Sequence, residues 1–423
     1  MAQFENIKNL LEQSVKLRKT IPTSNTPLHK INKEGLSETQ INDLFERIIS
    51  ESTQHSLRMM GHMDTQPFDE AVVADAIVSK LNNNVLFYEL SPIATRIEMY
   101  MIDYFCQKLS MSDGFGIFCS GGSIANITGL FAAAGGFQNQ QTRSDIEMFV
   151  SEAAHISIKK AATLIGIDNV TVIHALASGK IDIEQLEQAV KNSDVKTKII
   201  IGTVGTTIQG AYDDIPSMIK IAEHYGCWVH VDAIYGGATI FSETHKHCMD
   251  GVQYADSVSL GHQKWMGVPR VSGICILKDK KQMDQRLAMD VPYSVGDQMN
   301  LGTWGIQGSR RADAITLWIT LCAKGEKFIE NWVDTAIEKT HTFYKMLSED
   351  ENFEPVHQPE MNLQLFRPKK QVDMLTAHKQ LTDKGQEWVS LSTWKQEPVY
   401  RAVILHPDTQ IENLSNVLDL LKQ

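Results

Sequence analysis

Trp228-Val229-His230-Val231-Asp232 and Ser257-Val258-Ser259-Leu260-Gly261-His262-Gln263-Lys264-Trp265 decide how this chain is read. The first is a short apolar run that ends in a carboxylate. The second is strand-like over Ser257–Leu260 and delivers a lysine amine soon after. In open α/β sheets, ligands sit beyond the carboxyl ends of the strands. Asp232 and Lys264 fall at or just after such ends. Taken singly each is ambiguous, since an aspartate after a buried strand is often a helix cap or a metal ligand.

Working outward, further β-rich runs occupy Phe115–Cys119, Glu147–Val150, Val170–Ile173, Lys198–Thr203 and Gly273–Leu277. Helix-like stretches separate them at Ser123–Ala134, Ile156–Ile165, Ile183–Val190 and Ile215–Tyr225. This alternation predicts an α/β fold, a mostly parallel sheet covered by helices on both faces. Upstream, residues 1–50 read as a polar helical arm, with Ile7, Leu10, Leu11 and Val15 at helical spacing. Loop signals follow, then a long helix from Ile93 to Leu109. After about Arg311 the pattern changes to a helix at Ala312–Lys324, runs at Met361–Phe366 and Val399–Leu405, and a final helix at Ile411–Leu421. The expected division is an arm over 1–50, a large domain over 51–310 and a small α+β domain over 311–423.

Composition narrows the function. The chain has 423 residues, 43% hydrophobic and 22% charged, as an ordinary globular protein does. A net charge of −11 argues against a nucleic-acid partner, which needs a basic face. No apolar run is long enough to span a bilayer, and the N-terminus lacks the pattern of a signal peptide. Six scattered cysteines, none in a C-x-x-C, read mostly as small buried hydrophobes and point to a cytoplasmic setting. No metal site is expected.

Several motifs gather around the two opening stretches. Cys119-Ser120-Gly121-Gly122-Ser123 joins a strand to a helix. Its glycines allow close backbone approach, and the helix start offers free N–H groups to a phosphate. Ser123 is equally a good N-cap. His155, after Val150-Ser151-Glu152-Ala153-Ala154, either stacks on a flat cofactor or serves as a structural histidine. Thr207 in Gly205-Thr206-Thr207 either reaches a cofactor or makes a turn. Tyr293, in the aperiodic stretch Met289–Asp297, lies on a loop of the kind that closes over active sites. A lysine and a carboxylate at neighbouring strand ends are the pair that pyridoxal 5'-phosphate chemistry requires. The amine forms a Schiff base with the aldehyde, and the acid keeps the pyridine nitrogen protonated.

Together, Ser120-Gly121-Gly122-Ser123, His155, Gly205-Thr206-Thr207, His230-Val231-Asp232-Ala233, Ser257 through Lys264-Trp265, Ile306-Gln307-Gly308-Ser309-Arg310-Arg311 and Arg401 resemble the group II pyridoxal-phosphate-dependent amino-acid decarboxylases. The resemblance runs from about His55 to the C-terminus. It implies fold type I, the aminotransferase-like architecture, and a homodimer with interface active sites. It also implies roles. Lys264 would carry the cofactor, Asp232 would pair with the ring nitrogen, and His155 would stack on the ring. Gly121, Gly122 and Ser123 would hold the phosphate, with Thr207 near the ring. Tyr293 would protonate the carbanion, and Arg401 would hold the substrate α-carboxylate. His62 is a further candidate for the substrate pocket.

This chain departs from the family pattern twice. Gln263 stands where the family has a histidine before the lysine, with His262 one residue earlier. Ile234 replaces the second alanine of the usual His-Val-Asp-Ala-Ala run, under the ring. The N-terminal segment is short for the family, so a reduced dimer clasp is expected.

The implied activity is decarboxylation of an L-amino acid to a primary amine and CO2. The segments Leu90–Glu98 and Gly61-His62-Met63 look most like the branch acting on 2,4-diaminobutyrate, so a diamino or acidic substrate is expected. Two alternatives stay open: a lyase or aminotransferase of the same fold, and a catalytically degenerate relative.

Overall fold

A computed structural model describes residues 27–31, 33–53, 55–138, 143–289 and 299–422. Its strands are β1 (Phe115–Cys119), β2 (Ile146–Ser151), β3 (Asn169–Ile173), β4 (Thr197–Thr203), β5 (Trp228–Ala233), β6 (Ser257–Gly261), β7 (Gly273–Leu277), β8 (Phe353–Pro355), β9 (Leu363–Pro368), β10 (Ser390–Trp394) and β11 (Glu397–Val403). Its helices are α1 (Glu38–Glu51), α2 (Asp69–Leu81), α3 (Pro92–Lys108), α4 (Gly122–Ala133), α5 (Ile156–Ile165), α6 (Ile183–Asn192), α7 (Ile215–Tyr225), α8 (Lys280–Leu287), α9 (Asp313–Lys324), α10 (Glu326–Glu349), α11 (Met374–Lys384) and α12 (Ile411–Leu421).

The described chain forms two compact units. The larger comprises Pro67–Tyr344 with His357–Gln364, and the smaller takes the flanking segments. The sequence places a boundary near Arg311, whereas α9 stays with the larger unit because it packs on α2 and α3.

Seven strands in the order β1-β7-β6-β5-β4-β2-β3 make the sheet of the larger unit. The ladders from β6 through β5, β4 and β2 to β3 are parallel, and β7 runs antiparallel to both its neighbours. Every residue of β1, β5, β6 and β7 is buried. Helices cover both faces, so these runs are buried along their whole length, and the polar side chains in β5 and β6 must find partners inside. α4 lies on one face, against β5, β6, β7 and β1, while α7 packs on β4 and β5. Paired residues in a ladder share a face. Thr203 and Ser259, the register partners of Asp232, therefore flank it on its own face.

β1 borders the sheet, and its exposed edge is closed by side chains rather than another strand. Glu98 accepts the Phe118 N–H at 3.1 Å, and Arg310 donates to the Phe118 carbonyl at 2.9 Å. The two side chains pair with each other at 2.9 Å, both almost fully buried. A buried pair is kept from being costly by such extra hydrogen bonds. Here it fixes the strand that delivers the Ser120–Ser123 turn.

In the smaller unit four strands run in the order β10-β11-β9-β8, with β10/β11 and β8/β9 antiparallel. The segment at Met60 adds to it, donating to the Trp388 carbonyl and accepting from Val403 N–H. No helix among the described residues is long and apolar enough to cross a membrane.

Candidate active site

Asp232 sits at the carboxyl end of β5, 5% exposed. Two donors hold its carboxylate. The Ile234 backbone N–H reaches Oδ1 at 3.1 Å, and Asn126 Nδ2 reaches Oδ2 at 2.9 Å. Asn126 comes from α4, one turn past the Gly121-Gly122 entry. Its amide also donates to Ser157 Oγ at 3.0 Å and faces His230 Nε2 at 3.2 Å through its oxygen. Ser157 in turn lies 2.8 Å from Nδ1 of His155. His155 caps α5, its Nδ1 accepting the Ser157 backbone N–H at 3.2 Å, while the residue itself stays exposed. The structural and functional readings of His155 are therefore compatible. Burial holds its imidazole below the usual range, with the Asp232 charge opposing and the Lys264 charge adding to the shift. His155, Asp232 and Lys264 thus share one electrostatic neighbourhood.

Lys264 follows β6 and is half-buried. Its Nζ lies over the Tyr235 ring, 5.4 Å from the centroid, and Tyr235 Oη is fixed by Asn362 Oδ1 at 3.0 Å. Behind Asp232 the backbones crowd together. Gly205 has φ +89°, and a Cβ on Gly236 would meet the Val204 carbonyl oxygen at 2.5 Å. The same turn holds Thr206, which accepts Ala211 N–H at its hydroxyl, and the half-buried Thr207.

The Ser120–Ser123 turn has the form of an anion cradle. Gly121 adopts φ +87°, which glycine tolerates without strain. Ala125 N–H makes the first intrahelical bond of α4, to the Gly121 carbonyl. By helix geometry the N–H groups ahead of it face out of the helix end. Gln307 pins the approach, accepting from Ser120 N–H and donating to Ser120 Oγ, both at 3.0 Å. Gln263 sits beside Gly121. Its Oε1 is taken by Ser272 N–H at 2.9 Å, which leaves the amide NH2 as its donor edge. Ile234 packs into the space left by two glycines: a Cβ on either Gly122 or Gly261 would meet its side chain at 2.8 Å. The larger residue is accommodated by absent side chains on its neighbours.

From its place two residues before Lys264 the sequence predicts that His262 contacts the cofactor, as it does for Gln263 and Ile234, and the structure does not fit this for His262. It is fully buried, sandwiched between Phe105 and Phe118 at ring distances of 5.2 Å, with Nδ1 on Ser272 Oγ. It offers no open surface to a ligand. Burial pushes its pKa down to about 3 from 6.5, so the folded chain keeps it neutral while the unfolded chain protonates it below about 6.5. Its contribution to stability is thus whole above that pH and declines as pH falls toward 3. His262→Phe removes this loss. We expect urea midpoints to show the variant gaining on the parent by about 1.4 kcal/mol per pH unit below 6.5, with cofactor affinity unchanged. A weakened cofactor would return His262 to the site.

Arg401 and His62 belong to the smaller unit. There Arg401 is buried and donates to the Gly61 carbonyl at 2.8 Å, while the His62 ring lies 4.9 Å from Trp388. Tyr293 lies outside the described residues. Sequence reading missed Asn126 and Ser157, and it marked Gln307 within Ile306–Arg311 without a role. For Asn126 a signal existed: a lone amide inside Ser123-Ile124-Ala125-Asn126-Ile127 on an apolar helix must find partners.

The residues present fit pyridoxal phosphate: a helix-end cradle for the phosphate, a doubly held carboxylate for the ring nitrogen, and a half-buried amine. The comparisons agree. Residues 22–369 match the model of the pyridoxal-dependent decarboxylase conserved domain. Aspartate 1-decarboxylase of Aliivibrio fischeri is 28% identical over 95% of this chain and 87% of its own length. Human cysteine sulfinic acid decarboxylase is 28% identical over 78% of this chain and 71% of its own. The crystal structure of mouse CSAD in apo form superposes with a TM-score of 0.90 at 23% identity, covering 100% of this chain and 98% of that one, which shows the shared fold. The chain belongs to the group II pyridoxal-dependent decarboxylases and is a pyridoxal-phosphate-dependent amino-acid decarboxylase.

Proposed function

We propose that the enzyme removes the α-carboxylate of a short acidic L-amino acid, aspartate or cysteine sulfinate, as CO2. The observation that carries the site reading is the Asp232 carboxylate, fixed by two donors in the same neighbourhood as Lys264 and His155. Bound pyridoxal phosphate supplies the aldehyde that takes up an amino group and the ring that draws electrons from Cα. Lys264 holds the cofactor between turnovers and yields to the amino acid. Asp232 faces the ring nitrogen as an anion, and His155 covers the ring. The N–H groups of Gly121, Gly122 and Ser123, with the Gln263 amide, hold the phosphate. Thr207 and Ile234 border the ring. The resemblance assigns the α-carboxylate to Arg401, a place in the substrate pocket to His62 and the proton returned to Cα to Tyr293.

Substrate choice leans on the relatives named aspartate and cysteine sulfinic acid decarboxylases. Their substrates differ only in the acid group on the β-carbon, so one pocket suits both. A diamino acid is the second reading, favoured by the segments Leu90–Glu98 and Gly61-His62-Met63. A homodimer is supported by Val73, Ile77 and Leu81 of α2, which are 58%, 52% and 54% exposed at a spacing of four on one helix face. Six free cysteines support a cytoplasmic setting.

The test is CO2 release by the cofactor-loaded enzyme from aspartate, cysteine sulfinate, glutamate and 2,4-diaminobutyrate. We expect the two short acids to exceed 2,4-diaminobutyrate by about tenfold or more in kcat/KM, the scale of one charged contact made or lost. The reverse ranking would select the diamino reading. A keto acid without CO2 would select transamination, and cofactor binding without turnover would select a degenerate relative.

A further inference from the structure

The buried polar groups behind Asp232 form one continuous chain whose proton directions are fixed at its ends. An indole N–H only donates, a backbone N–H only donates, and a carboxylate only accepts. Trp228 Nε1 donates to Ser257 Oγ at 2.9 Å. Asp232 only accepts, so Asn126 turns Nδ2 to it and Oδ1 to His230; an amide oxygen only accepts, so His230 carries its proton on Nε2 and donates it to Asn126 Oδ1 at 3.2 Å. The neutral ring then accepts at Nδ1, and Ser257 gives it its own proton from 2.8 Å away. That leaves both Asn126 N–H groups for Asp232 Oδ2 and Ser157 Oγ. Ser157, already accepting, gives its hydroxyl proton to His155 Nδ1. Nδ1 of His155 meets a second donor, the Ser157 backbone N–H, and so cannot itself hold a proton. Every step agrees with the next. His230, Asn126, Ser157 and Ser257 are each no more than 1% exposed, so water does not substitute for them.

We propose that Asn126 is a positioning residue whose single amide orients the Asp232 carboxylate and, through Ser157, fixes the His155 imidazole with its proton on Nε2. The inference rests on the reading of Asp232 and His155 as cofactor contacts for its purpose, though not for its geometry. A residue in this place must donate twice and accept once, which an amide does and a carboxylate or a hydroxyl does not. Burial supports the neutral form of His230, whose pKa is pushed down to about 3. In consequence His155 presents Nε2–H as the one polar edge that the helix cap does not use. The two sides of the cofactor site then answer to one side chain. The ring-nitrogen partner is held directly, and the stacking imidazole is held through one hydroxyl.

The test reads the ring nitrogens by NMR in the cofactor-free chain, with histidine labelled on both nitrogens, and then pyridoxal phosphate affinity by fluorescence titration. In the parent, His155 and His230 are both expected as neutral Nε2–H rings. Ser157→Ala removes only the His155 arm. It should bring in the Nδ1–H form of His155, leave His230 unchanged, and weaken pyridoxal phosphate by about threefold to tenfold, the scale of one hydrogen bond. Ser157→Thr keeps the hydroxyl and should restore both readings. Asn126→Asp should alter His155 and weaken the cofactor by tenfold or more, since a carboxylate then faces Asp232. A parent His155 with its proton on Nδ1 would overturn the assignment, as would Ser157→Ala with unchanged ring nitrogens and unchanged affinity. If Asn126→Asp does not fold, the two Ser157 variants decide alone. Failure of the cofactor reading has a separate signature: the expected tautomers in the free chain, with pyridoxal phosphate affinity indifferent to all three substitutions.

Discussion

Replacing Lys264 by alanine is expected to leave a folded chain that no longer holds its cofactor covalently, with CO2 release down by about 10⁴-fold, the upper end of what one positioned amine contributes. Three features single this lysine out. It follows the carboxyl end of β6, the strand paired with β5. It is half-buried, over the Tyr235 ring, where a cation is attracted to the π-face. Its charge registers at His155 with that of Asp232 and ahead of that of Lys160. Other candidate lysines have other places. Lys278 is paired with Asp256 at the opposite end of the sheet, and Lys159 and Lys160 are exposed on α5. Borohydride reduction of the loaded parent, followed by peptide mapping, should place the cofactor on Lys264. The stability of Lys264→Ala should stay within about 1 kcal/mol of the parent, because the attractions of a half-exposed amine are made partly in water. An adduct on Lys159 or Lys278, or turnover by the alanine variant at the parent rate, would sink the assignment.

Much of this arrangement was legible in the sequence, for a physical reason. Strands buried on both faces are continuous apolar runs, so β1 and β7 were bounded to the residue, as were α5, α7 and α12. Charged residues at the ends of such runs stand out, which is how Asp232 and Lys264 were found. The helix α2 carries only loop signals in the sequence because its apolar residues point two ways. Ala71, Ala74 and Val78 face the core, while Val73, Ile77 and Leu81 are exposed, and this blurs the one-sided periodicity of an amphipathic helix. Strand β8 carries too few residues to show a period, and β10, Ser390-Leu391-Ser392-Thr393-Trp394, is polar and only partly buried, so it forms no apolar run. His262 was misplaced because adjacency to Lys264 says nothing about direction. It points between two phenylalanines, and Gln263 is the neighbour that turns toward Gly121. Asn126, Ser157 and Gln307 make their contacts across 106, 31 and 187 residues of chain, a pairing that no local pattern encodes.

The second large effect belongs to Asp232, where charge and hydrogen bonding are separable by experiment. Asp232→Asn should lower kcat/KM by about 10³-fold, the scale of removing one preorganised charge from a reacting centre. It should also lower stability, for a reason specific to this site. Both carboxylate oxygens accept from fixed donors, Asn126 Nδ2 and the Ile234 N–H. The new amide has only one oxygen, so its NH2 must face a donor, at a cost of about 1–3 kcal/mol. Exchanging the two residues, Asp232→Asn with Asn126→Asp, restores the match. The amide at 232 then donates to the carboxylate at 126 and still accepts from Ile234. That carboxylate also accepts from His230 Nε2 and from the Ser157 hydroxyl. The exchanged variant should therefore recover most of the lost stability in urea unfolding, as two coupled neighbours do when their mismatch is removed. Its activity should stay as low as that of Asp232→Asn, because the negative charge has moved one side chain back from the ring nitrogen. Activity returning together with stability would mean that Asp232 acts through packing alone. Near-parental turnover in the single Asp232→Asn variant would remove it from the mechanism altogether.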